Sequence, residues 1–132
     1  MKKISLFLLT LAPVLAFAQQ VDPCIGKGSA QDMGACVEGE YKQANQKMDN
    51  AYKKLLAQIP VKDEDGIPYE AVKKQLRVAQ KSWRDFVEQD CKTVGIYNKG
   101  SAFKDVEYFS CMRVHTEQRT TDFERFLSRK GK

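Results

Sequence analysis

Four cysteines, Cys24, Cys36, Cys91 and Cys111, are the first residues here whose type could do chemistry, and His115 is the only histidine beside them. An even cysteine number reads as two disulfides in an oxidising compartment. The competing reading is a metal centre. No Cys-x-x-Cys pair occurs and His115 is the only histidine, so the spacing disfavours zinc and no metal or cofactor is expected. With the cysteines paired, His115 has no thiol nucleophile to activate, and the chain contains no GxSxG elbow, P-loop or HExxH. The carboxylate pairs Asp63 with Asp65 and Glu88 with Asp90 could mimic a hydrolase dyad, but a polar turn and a solvated helix face account for them more simply. The chain reads as a non-enzyme.

A secretory leader supplies the oxidising compartment. Lys2 and Lys3 precede an apolar run from Ile4 to Phe17, and Ala16-Phe17-Ala18 is a small-x-small cleavage pattern. The run is short for a membrane span. Val21-Asp22-Pro23 before Cys24 is not a lipoprotein site, so residues 1–18 are expected as a cleaved signal peptide and residues 19–132 as one domain without a membrane anchor, periplasmic or secreted. Of 22 basic residues two fall in the leader, and against 17 acidic ones the remainder carries a formal charge of +3. So mild a charge on an exported domain argues against nucleic acid as a partner.

Three helices must position these residues. Met33, Val37, Tyr41, Ala44, Met48, Ala51 or Tyr52, Leu55 and Ile59 recur at steps of three and four, which predicts one helix. Ser29 caps it with an acid, Asp32, at the third position, and Pro60 ends it. A second helix is expected over residues 69–94, stopping near Gly95, with Leu76, Ala79, Trp83, Phe86 or Val87 and Asp90 along its face. Trp83 should face the core, and Gln80, one step beside that stripe, needs partners on another helix. Ser101 opens a third helix with the stripe Phe109, Met112, Thr116, Arg119, Phe123 and Phe126 or Leu127. Residues 128–132 form a basic, fraying end.

The expected fold is therefore all-α: a disulfide-stapled, up-down-up three-helix bundle with an extended N-terminal arm carrying Cys24. That topology brings Cys36, Cys91 and Cys111 to one pole with Cys24 nearby, and leaves all three pairings open. Cys24 with Cys36 and Cys91 with Cys111 is favoured because each joins sequence neighbours; a bond from Cys36 to Cys91 or Cys111 remains the alternative. Arg119, on an apolar stripe, must meet an acid or several acceptors, with Asp49, Glu40 and Gln80 in reach. Gln80, Tyr52, Trp83 and Arg119 form the expected core and polar network.

Leu76-x-x-Ala79-Gln80-Lys81-x-Trp83-x-x-Phe86, followed by Cys91, resembles the LxxAQRxWxxF…C block of the LprI-type lysozyme inhibitor domain. Met48-Asp49-x-x-Tyr52-x-x-Leu55-Leu56 resembles that family's LNxxYxxLL, and Thr116-Glu117-Gln118-Arg119 its closing TxxR. Together the blocks span most of the chain beyond the leader. Met48 and Asp49 stand in place of Leu and Asn, Lys81 in place of Arg, and Val87-Glu88 where Arg-Asp is common, so no exposed arginine is carried over there.

The resemblance implies a helical exported domain that binds a protein partner, a peptidoglycan-cleaving lysozyme, and occludes its cleft. Such a cleft holds two carboxylates, so an inhibitor needs a narrow protrusion that offers a donor. Lys99 in Tyr97-Asn98-Lys99-Gly100-Ser101 fits that need. The competing role is a non-catalytic envelope module, structural, accessory or conferring immunity, with another protein partner.

Overall fold

The computed structural model describes residues 22–129. The expected leader at 1–18, and residues 130–132 of the basic end, lie outside the described residues. Three helices follow one another: α1 (Ala30–Gln58), α2 (Tyr69–Tyr97) and α3 (Lys104–Arg129). None of them is long and apolar enough to cross a membrane.

The start of α1 is set by a capping box. Ser29 Oγ accepts from the Asp32 amide at 3.2 Å while Asp32 Oδ2 accepts from the Ser29 amide at 2.9 Å, so two helix-end donors are satisfied reciprocally. At the other end Ile59 leaves the helix with φ −75 and ψ 126, the extended conformation that Pro60 imposes on its predecessor. The acidic turn that follows closes through Asp65 (φ 52) and Gly66 (φ 76), with the Ile67 amide donating to the Glu64 carbonyl at 2.9 Å. Helix α2 starts at Tyr69, directly after Pro68.

Helix α2 does not stop near Gly95 but runs on to Tyr97. Gly95 is buried, and a Cβ there would meet Tyr108 Cδ2 at 3.6 Å and Lys104 Cε at 4.0 Å. Those are ordinary contact distances, so Gly95 is a buried residue within α2, beside the start of α3, and not the helix's end. Asn98 caps the helix instead, its amide and its Nδ2 both donating to the Val94 carbonyl at 3.1 and 3.0 Å. Ser101 Oγ then accepts from the Phe103 amide at 3.1 Å, and α3 opens at Lys104.

The three helices run up, down and up. Gly34 near the start of α1 faces Asp105 and Val106 at the start of α3, and Tyr52 near its end meets Phe123 with ring centroids 5.3 Å apart, so α1 and α3 are parallel. Helix α3 packs against both others. The apolar stripes form two clusters. Cys24, Met33, Val37 and Val106 pack with Ala30, Cys36 and Phe109 at the disulfide pole. Met48, Leu55, Ile59 and Phe123 pack with Tyr52, Leu76 and Trp83 toward the other.

On α2 the buried face holds Val87 and Cys91, while Phe86 and Asp90 are exposed. The helical phase carries the stripe one residue past Asp90, which corrects the last position assigned from spacing. Phe126 is likewise exposed.

Both disulfides follow the sequence-neighbour pairing. Cys24 bonds Cys36 and Cys91 bonds Cys111, each with Cα atoms 5.6 Å apart. On the loop-closure argument each contributes about 2–4 kcal/mol, a large share of a small domain's stability. Residues 22–29 of the arm are laid down in successive turns, with the Ile25 amide on the Asp22 carbonyl at 3.0 Å. Asp22 also pairs with Arg113 of α3, both side chains being largely buried.

Candidate functional site

The stretch Tyr97 to Ser101 lies between α2 and α3 at the disulfide pole and exposes Tyr97, Lys99 and Ser101, while Asn98 turns back on α2. Tyr97 is 89 % exposed, and Ile96 and Phe103 beside it are exposed too. The backbone beneath them is tightly bonded. Lys99 N donates to Ile96 O at 3.0 Å, Ser101 N to Asn98 O at 2.9 Å, and Gly100 takes φ 99, a conformation open to glycine at little cost. The Cys91–Cys111 bond ties the two helices just below.

Against the loop lies a groove of about 530 Å³, with Gly95, Ile96, Tyr108 and Phe109 as its apolar walls. Lys92, Lys99 and Lys104 stand around it together with Glu88 and Asp105. Among the described residues none of these three lysines is held in an ion pair. Their ammonium groups remain available as hydrogen-bond donors to a partner.

Toward the middle of the bundle a second group joins all three helices. Arg119 Nε donates to Gln80 Oε1 at 3.0 Å, and Gln80 Nε2 donates to Met48 Sδ at 3.2 Å. The guanidinium carbon lies 4.5 Å from the Phe123 ring centroid and 5.7 Å from that of Trp83, a cation packed between aromatic faces. Burial pushes the Arg119 pKa down from its ordinary value, and the Asp122 carboxylate, 4.0 Å away, opposes that shift. Tyr52 completes the packing through Phe123. Of the three acceptors considered for Arg119, Gln80 is the one in contact, whereas Asp49 pairs with Arg84 at 2.6 Å. Gln80 is buried, and the group links side chains of all three helices.

His115 sits apart from both groups, with Nε2 at 2.9 Å from Asp90 Oδ2 and the Phe86 ring edge-to-face with its own, centroids 5.7 Å apart. Cys91 and Cys111 are beside it, and no described cysteine is free. Two contacts escaped the sequence reading altogether. The pairs Arg84–Asp49 and Arg113–Asp22 join residues 35 and 91 positions apart, and no local spacing signals them.

A family model described as "Lysozyme inhibitor LprI" matches residues 24–123, from the first cysteine to Phe123. The chain belongs to the LprI lysozyme inhibitor family. The matched span of this LprI domain includes both disulfides, the loop at 97–101 and the Gln80–Arg119 brace. An uncharacterized protein of Rhizobium meliloti (strain 1021) is similar to it, 24% identical over 129 residues that cover 94% of this chain and 91% of the relative. No solved structure matches.

Proposed function

We propose that this LprI domain is an exported, non-catalytic inhibitor that binds a lysozyme and occludes its cleft with the loop at 97–101. The observation that carries the reading is the exposed Lys99, held in no ion pair among the described residues, on a loop between two disulfide-linked helices. A lysine ammonium offers three donors to the two carboxylates of a glycosidase cleft. Exposed Ile96, Tyr97 and Phe103 supply apolar contact around it, the composition that interface centres favour. Because the turn is already formed, little ordering cost is left to binding.

Charge does not guide this encounter. The domain is mildly basic and c-type lysozymes are basic, so attraction must come from short-range fit. The acidic turn at Asp63 to Asp65 could steer a basic partner locally, but it lies at the opposite end of the bundle from Lys99 and one rigid face cannot use both.

The test is a cell-wall lysis assay with the purified, oxidised chain lacking residues 1–18, titrated against c-, g- and i-type lysozymes. Saturating inhibition near one-to-one is expected for at least one class, with loss on Lys99→Ala. Absence of inhibition in all three classes at micromolar protein would reject the reading and direct the search to other envelope partners.

A further inference from the structure

Where α2 crosses α3, a histidine and an aspartate stand against a disulfide. Asp90 and Cys91 are adjacent on α2, and Cys111 and His115 are one helical turn apart on α3. One ligand-capable atom from each, a carboxylate oxygen, two sulfurs and an imidazole nitrogen, lies within 4.8 Å of all the others. Tetrahedral zinc with Zn–N or Zn–O near 2.0 Å and Zn–S near 2.3 Å spaces its ligand atoms by about 3.3–3.8 Å. The four groups therefore start close together, and opening the S–S bond leaves the two sulfurs free to move apart to the separation zinc requires.

We propose that reduction of the Cys91–Cys111 disulfide converts this crossing into a zinc(II) site with Asp90, Cys91, Cys111 and His115 as ligands. Two thiolates, one imidazole and one carboxylate are a donor set that zinc accepts. In the oxidised protein the sulfurs are bonded to each other and the site does not exist. A dithiol reductant opens it by exchange: it supplies two electrons and becomes a cyclic disulfide, leaving both cysteines as thiols. Zinc then displaces the two thiol protons to solvent.

The helices do not depend on the S–S bond alone to stay in register. Gly95, one turn beyond Cys91, is buried beside the start of α3, and the short connection at 98–103 limits their separation. Phe86 flanks the imidazole. The other disulfide offers no such set, since among the described residues Cys24 and Cys36 belong to no group of this kind. This inference is independent of any lysozyme partner.

The experiment is a zinc titration of the oxidised and the dithiol-reduced chain, with cysteine alkylation mapped by mass spectrometry and helix content followed by circular dichroism. The reduced protein is expected to bind one zinc, and the oxidised protein none. Zinc should protect Cys91 and Cys111 from alkylation while Cys24 and Cys36 react. Cobalt(II) substituted for zinc should show a thiolate charge-transfer band. His115→Ala and Asp90→Asn should each weaken binding by at least about tenfold, the loss that even an outer-shell partner costs at such sites. Equal protection of all four cysteines, binding unchanged by His115→Ala, or a reduced chain that loses its helices and does not recover them with zinc would each overturn the proposal.

Discussion

Arg119 on α3 donates from Nε to Oε1 of Gln80 on α2 at 3.0 Å, and the same amide reaches Met48 on α1. One glutamine therefore holds three helices in register through a largely buried cation, and its loss leaves Arg119 Nε without this acceptor. Gln80→Leu should cost about 1–3 kcal/mol in urea unfolding, the penalty of an orphaned buried donor. Replacing both partners, Gln80→Leu with Arg119→Met, should be less costly than Gln80→Leu alone, because no charge is left stranded. A double variant as unstable as the single one would show that packing, not the hydrogen bond, governs this position.

At the start of α1 the Ser29 hydroxyl and amide hold the Asp32 carboxylate below its ordinary value of 3.8. A carboxyl whose pKa falls on folding contributes stability above its unfolded value and loses it as pH drops through the folded one. Asp32→Asn should therefore be less stable than the parent chain at neutral pH, and the gap should close below pH 3.8. Thermal unfolding of both proteins across that range measures it. A gap that persists at the lowest pH would assign the effect to helix propensity instead.

The Asp22–Arg113 pair ties the arm to α3, and with both side chains about four-fifths buried it is weakly screened. Asp22→Asn should lower stability by about 1–3 kcal/mol and speed tryptic cleavage at exposed Lys27, although the Cys24–Cys36 bond still tethers the arm. Unchanged cleavage would mean that the disulfide alone fixes the arm.

How far the sequence reached depends on the range of the interaction. The helices were legible because the 3.6-residue period of Met33 to Ile59 and of Leu76 to Cys91 is a local property of the chain. The end of α2 was not, because a glycine reads locally as a stop whereas Gly95 is buried inside the helix, which only tertiary packing reveals. For Arg119 the need for an acceptor followed from its place on the stripe, but the choice of Gln80 over Asp49 rests on the helix crossing and on Arg84 occupying Asp49. His115 could be seen to lack a nucleophile, whereas its contact with Asp90 joins two helices. The Lys99 loop was found through resemblance, and the structure adds the bonded turn beneath it.

That turn separates two roles that a single alanine substitution would confuse. Lys99 is exposed and in no ion pair among the described residues, so Lys99→Ala should leave stability within about 0.5 kcal/mol, as for surface changes away from packed features, and act on binding alone. Gly100, at φ 99, holds a conformation in which a Cβ is strained although nothing lies within 4 Å of it. Gly100→Ala should therefore cost about 1–2 kcal/mol or shift the loop to relieve that strain. If the loop inhibits a lysozyme as a preformed wedge, both variants should weaken inhibition, but only Gly100→Ala should also lower the melting temperature. Inhibition retained by Gly100→Ala despite that fall would mean that the loop orders on binding, and that its rigidity contributes nothing to affinity.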